Sequence, residues 1–174
     1  MTLEEFLKLP ETKPASEYIE GEIIQKPMPK TKHSRLQGRF LRTINEVVEE
    51  PKIAYAFPEL RCTFGGRSIV PDISVLLWEQ IQFDESGELV DNVLIAPYWA
   101  NRVTKKIIHC LEHGCQLGWL VDPGDRSILA FLPNQQPQFC EGSDVVPVPE
   151  IIPLNITAEQ VFSWLRMQAS TTGS

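Results

Sequence analysis

From Ser68 to Leu77 the chain runs Ser-Ile-Val-Pro-Asp-Ile-Ser-Val-Leu-Leu. Apart from its middle this segment reads as a strand, because β-branched and aliphatic side chains fit a pleated, half-buried surface. Pro71 lacks the N–H that a central ladder requires, so the chain has to bend, bulge or meet a sheet edge at Pro71-Asp72. A bend of that kind re-aims the next side chain, which here is a carboxylate set among Ile, Val and Leu. An ionised carboxylate in such surroundings must be paired or metal-bound, since burying it alone is costly. Two readings stand: Asp72 is a metal ligand at a strand bend, or the dipeptide simply turns between two short strands.

The flanking segments set the architecture. Residues 58–64 and 68–77 are predicted strands joined at Gly65-Gly66, where both positions accept positive φ. A hairpin over residues 17–28 turns at Glu20-Gly21, and Pro27 and Pro29 punctuate its exit. From Thr31 to Glu50, Leu36, Phe40, Ile44, Val47 and Val48 recur at threes and fours, which predicts an amphipathic helix. Leu89 to Ala96 is a further apolar run, and a helix follows from about Arg102 to His113 with Gly114 as its cap. Residues 117–121 and 127–131 read as strands around the Asp122-Pro123-Gly124-Asp125 turn. Thr2-Leu3-Glu4-Glu5 and Thr157-Ala158-Glu159-Gln160 are capping boxes that open short helices. The order implies an α/β (mixed α+β) chain, a mixed sheet flanked by helices. Its 174 residues fit one domain over 1–168, with a small, polar, frayed tail from Ala169 to Ser174.

Charge is unevenly placed. Sixteen Lys and Arg against 23 Asp and Glu give a net charge of −7, which disfavours indiscriminate coating of nucleic acid. Yet no acid lies between Glu22 and Glu46, where Lys26, Lys30, Lys32, Arg35, Arg39 and Arg42 occur. On the predicted helix Lys32, Arg35, Arg39 and Arg42 share one stripe. That stripe is either a solvated face or a contact for the DNA backbone. No apolar run approaches the roughly 20 residues of a membrane helix. The acidic start and the four cysteines predict reduced thiols in the cytoplasm.

His109, Cys110, His113 and Cys115 form a second cluster. The two histidines, four apart on a helix, could clamp Zn²⁺, but Cys110 and Cys115 do not share their face and no finger spacing is present. Packing against the sheet is the simpler reading. Trp78, Trp99, Trp119 and Trp164 read as core or interface anchors, with Trp99 beside Tyr98 as an alternative partner surface.

With Glu17-Tyr18-Ile19-Glu20-Gly21-Glu22, His33, Pro71-Asp72-Ile73-Ser74-Val75, Lys106 and the run from Gly114 to Pro123, the chain resembles the Uma-type family of restriction endonucleases. That family lies within the PD-(D/E)XK nuclease superfamily. The resemblance implies a restriction-endonuclease-like bent mixed sheet, metal-dependent cleavage of DNA and, as such enzymes often pair to cut both strands, a homodimer. It implies Asp72 as the first catalytic carboxylate, Lys106 as a catalytic lysine moved from strand to helix, and Glu17 and His33 as recurrent positions. In that chemistry two carboxylates on adjacent strands hold Mg²⁺ or Mn²⁺. The metal polarises the phosphate and acidifies the attacking water, and the lysine neutralises developing charge.

One segment departs from the family. Members continue with a Pro-Asp pair, a strand bearing the second catalytic Glu, and a Leu-Ser-Pro turn into the lysine helix. This chain reads Ile95-Ala96-Pro97-Tyr98-Trp99-Ala100-Asn101-Arg102-Val103-Thr104-Lys105-Lys106. In one alignment Tyr98 replaces the Asp, and the strand and turn are missing. In another Val90–Ile95 takes the strand's place, with Val93 at the acid position. Both lack the second acid, so Asp72 alone would hold Mg²⁺ weakly. The expectation is that Leu89–Ala96 fills the vacated place beside the Asp72 strand, with Asp91 as a substitute carboxylate and metal ligand. Two functions remain: a metal-dependent DNA endonuclease with an eroded site, or a non-catalytic nuclease-fold domain for DNA binding or protein interaction. The absent acid favours the second.

Overall fold

The computed structural model describes residues 1–101 and 104–168. Among these residues four α-helices, α1 (Leu3–Leu7), α2 (Thr31–Val48), α3 (Thr104–Glu112) and α4 (Ala158–Ser163), accompany ten strands in two sheets. β1 (Ser16–Ile19), β2 (Glu22–Gln25), β4 (Cys62–Phe64) and β5 (Arg67–Ile69) make a four-stranded antiparallel sheet in the order β2-β1-β5-β4. The larger sheet holds β3 (Ala54–Pro58), β6 (Ile73–Leu77), β7 (Trp99–Asn101), β8 (Leu117–Asp122), β9 (Ser127–Phe131) and β10 (Gln138–Glu141). Its order is β10-β9-β8-β7-β6-β3. β7 and β8 run parallel, joined through α3 as the crossover that parallel neighbours need. The other pairings in that sheet are antiparallel.

The Pro71-Asp72 interruption is where the chain leaves one sheet for the other: β5 ends at Ile69 in the smaller sheet and β6 begins at Ile73 in the larger. The predicted strand was thus two strands. Both hairpins turn as the sequence requires, with φ of 56° and 74° at Gly65 and Gly66, and 52° and 85° at Glu20 and Gly21.

Alternation along the large sheet sorts its residues to two cores. Ile73, Val75, Trp99, Leu117 and Trp119 pack with Leu36, Phe40, Ile44 and Val48 of α2 and with Val161 and Phe162 of α4. On the opposite face Ala100 packs with Cys110 and Cys115 and with Cys62, Phe64 and Ile69 of the smaller sheet. Gly118 is required here, because a Cβ would lie 2.1 Å from Cγ2 of Ile107 in α3. Asn45 fastens α2 to the edge strand β3. Its Nδ2 donates to the Ala56 carbonyl at 3.1 Å, and its Oδ1 accepts from the Ala56 N–H at 2.8 Å.

The apolar run from Leu89 does not fill the place beside β6. β3 and β7 already occupy the two edges of β6, and Leu89, Leu94 and Ile95 are exposed. The run touches the smaller sheet instead, where the Thr63 N–H donates to the Val93 carbonyl at 2.9 Å. A three-residue strand, Trp99–Asn101, stands where the family strand was expected to be missing. Trp99 is 1% exposed and belongs to the core, so it forms no partner surface. The expected start of the third helix at Arg102 and the expected frayed tail lie outside the described residues. Among the described residues no helix is long and apolar enough to cross a membrane.

Candidate active site

The bend between the sheets is held from several sides. The Val70 N–H donates to Glu17 Oε1 at 2.7 Å, and Lys26 Nζ donates to the Val70 carbonyl at 2.9 Å. The Asp72 carbonyl accepts from Gln37 Nε2 at 2.9 Å and from the Glu59 N–H at 3.2 Å. With Pro71 removing one donor, these contacts supply the partners that the broken ladder cannot. They fix the direction of the Asp72 side chain.

The Asp72 carboxylate faces two basic groups. Lys26 Nζ lies 2.7 Å from Oδ1, and His33 Nε2 approaches Oδ2 to 3.4 Å. Lys26 also bonds Glu59 Oε2 at 2.7 Å, and Gln37 Nε2 reaches Glu59 Oε1 at 3.3 Å. An ammonium has three N–H donors, and Lys26 meets three oxygens: one each from Asp72, Glu59 and Val70. Lys26 is nearly buried at 9% side-chain exposure, whereas Glu59 and His33 keep 46% and 42%. The group therefore opens to solvent on the Glu59 and His33 side. Beside it lies a shallow cleft lined by His33, Gln37, Asp72, Asn101, Val121 and Pro123.

Lys106 serves another carboxylate. Its Nζ contacts Glu17 Oε2, and the Glu17 side chain is fully buried. Burial pulls the Lys106 ammonium down to about 8 from an ordinary 10.5. The carboxylate in contact with it works against that loss of charge. Lys106 and Asp72, expected as partners, thus belong to two separate ion pairs, and the lysine on Asp72 is Lys26.

The other expected site residues are dispersed. Asp91 is exposed in the segment that reaches toward β4, outside the large sheet. Lys32 is exposed at the start of α2. Arg35 donates from Nε to the Trp164 carbonyl at 2.9 Å, and the Arg39 guanidinium lies 5.8 Å from the Trp164 ring centre. Arg42 pairs with Glu46 at 2.9 Å, one turn along. Half of the basic stripe therefore packs on the end of α4. In the His/Cys cluster, Cys110 and Cys115 are core residues, and burial raises the Cys115 thiol to about 12. Neither cysteine is poised as a ligand.

Lys26, Gln37, Glu59 and Asn101 were not anticipated. Gln37 was within reach of sequence reasoning, being one helical turn after His33 on the same side of α2. Lys26 and Glu59 lie in proline-rich connections with no period to read, and Asn101 ends a strand too short to show alternation.

The Mg²⁺ that the family chemistry implies does not fit this arrangement. A hard divalent cation needs several free oxygens near 2.1 Å. Here Lys26 already bridges Asp72 and Glu59, both oxygens of each carboxylate face a nitrogen, and β7 offers Trp99, Ala100 and Asn101 with no acid.

A bent junction between two sheets, a β–α–β crossover and an acid at the strand bend together define a nuclease-like fold of the restriction-endonuclease kind. Residues 3–164 match the Uma2 family model, described as "Putative restriction endonuclease", and the chain belongs to that family. It is similar to the crystal structure of a "putative nuclease belonging to DUF820" from Anabaena variabilis ATCC 29413. The two superpose with a TM-score of 0.94 at 49% identity, over 95% of this chain and 99% of that one. No curated protein matches the chain.

Proposed function

We propose that this chain is a nuclease-fold protein that binds the DNA backbone without hydrolysing it by the two-carboxylate, metal-dependent route. The observation that carries this reading is Lys26, whose ammonium bridges Asp72 and Glu59 at 2.7 Å each. It supplies the positive charge that a divalent cation would otherwise bring to the bend. Backbone binding is supported by the start of α2. Its first turn holds no acid and its N-cap, Lys30, makes no side-chain cap bond, so unpaired N–H groups and the helix dipole favour an anion there. Exposed Lys30 and Lys32 flank that turn, and His33 stands at the mouth of the cleft.

Two measurements on the purified full chain test this. Incubated with supercoiled plasmid across a range of Mg²⁺ and Mn²⁺ concentrations, the protein should produce no nicking above control. Duplex DNA should bind with an affinity that falls steeply with salt, and Lys32→Ala should reduce the slope by about 1. Metal-dependent nicking that Asp72→Ala abolishes would establish an active endonuclease instead. Absence of any salt-dependent binding would leave protein interaction as the role of the fold.

A further inference from the structure

We propose that the C-terminal end of α3 is a zinc site built from His109, Glu112 and His113, on the side of the large sheet opposite the α2 cleft. One nitrogen of each imidazole and one oxygen of Glu112 lie within 4.8 Å of one another. The donors stand at i, i+3 and i+4, which places them on a single helix face.

The hydrogen bonds around the two rings prepare them for a metal. His109 Nε2 lies 3.2 Å from the Phe64 carbonyl, and His113 Nδ1 lies 2.9 Å from the His109 carbonyl. A carbonyl oxygen can only accept, so each of these nitrogens carries the proton. His109 Nδ1 and His113 Nε2 are then the lone-pair nitrogens of the neutral rings. Metal-ligating histidines commonly show this arrangement, one nitrogen's proton held by a backbone carbonyl so that the other nitrogen is turned to the ion.

The His109 ring is also held in place, and Gly65 leaves room beside that of His113. His109 is 4% exposed and stacks on Phe64 with centroids 4.8 Å apart. His113 lies against Gly65, where a Cβ would come within 2.2 Å of its Nε2. Glu112 and His113 are exposed, so their side chains can close from 4.8 Å to the roughly 3.3 Å donor spacing of a tetrahedral ion with bonds near 2.1 Å. A cation at this end of α3 also meets the negative end of the helix dipole. Arg67 is the nearby charge that opposes it, and its guanidinium is paired with Glu20. Two nitrogens and one carboxylate suit Zn²⁺ better than Mg²⁺, and they leave a fourth position for water.

The test is equilibrium dialysis of chelator-stripped full-length protein against Zn²⁺, with elemental analysis and Co²⁺ absorption as a second readout. One equivalent should be retained, with the intense visible bands of tetrahedral Co²⁺. His113→Ala, an exposed substitution, should abolish both, and Glu112→Gln should weaken binding by roughly tenfold or more. Asp72→Asn should retain the full equivalent. Failure of the parent to hold zinc, unchanged binding in His113→Ala, or loss of binding in Asp72→Asn would each overturn the assignment.

Discussion

Glu17 and Asp72 are both carboxylates paired with a lysine, and both pairs grip the backbone of Val70. Glu17 accepts from the Val70 N–H while contacting Lys106. Asp72 is bonded to Lys26, which also donates to the Val70 carbonyl. The difference is access. Glu17 is wholly buried, and Lys106 and the Val70 N–H stand in for water it lost. Asp72 keeps 16% of its side chain exposed and lines a cleft whose neighbours Glu59 and His33 are open to solvent. Of the two pairs at the bend, one holds it in place and the other can meet a ligand. Arg42–Glu46 completes the series as a pair with 69% and 60% exposure, on the surface of α2.

That ordering can be broken by mutation, beginning with the buried pair. Glu17→Ala leaves Lys106 uncompensated and the Val70 N–H without its acceptor, so urea denaturation should show a loss of about 3–5 kcal/mol near neutral pH. In this variant burial, no longer opposed by the carboxylate, holds the Lys106 ammonium below its ordinary 10.5 in the folded state. Below 10.5 the unfolded chain then binds more protons than the folded one, so the variant should regain stability as pH rises toward 10.5. A flat response would mean that Lys106 swings out to solvent.

Lys26→Met should cost less, about 1–3 kcal/mol, because water reaches the Glu59 side. It should also create weak Mn²⁺ binding between Asp72 and Glu59, measured by electron paramagnetic resonance and removed by adding Asp72→Asn. Equal Mn²⁺ binding by the parent would show that Lys26 does not take the place of a cation. Arg42→Ala should move stability by no more than about 0.5 kcal/mol. A larger change would mean that exposure does not rank these pairs.

The legible parts of the molecule were those with a period or a turn signature. α2 was predicted over Thr31–Glu50 and spans Thr31–Val48. The Gly65-Gly66 and Glu20-Gly21 hairpins, and the two capping boxes, followed from residue chemistry within four positions. The placement of Leu89–Ala96 failed because an apolar run reports a wish for burial and not a neighbour. β7 takes the place beside β6 with three residues, too few to alternate visibly, and its parallel ladder to β8 is set by α3 packing through Ile107 on Gly118. Asp72 was legible because proline broke its strand. Its partner was not, since Lys26 is 46 positions away in sequence.

By itself the sequence determined the family, the elements with strong local codes, and the presence of a carboxylate at a forced bend. These depend on φ restrictions, missing N–H groups and side-chain period, which act between residues close in the chain. Only the tertiary structure decided which lysine met which carboxylate, and which of the two pairs lost its water. Charge pairing acts through space at a few ångströms, and the distances that set it exist only once two sheets and α2 have closed around Val70.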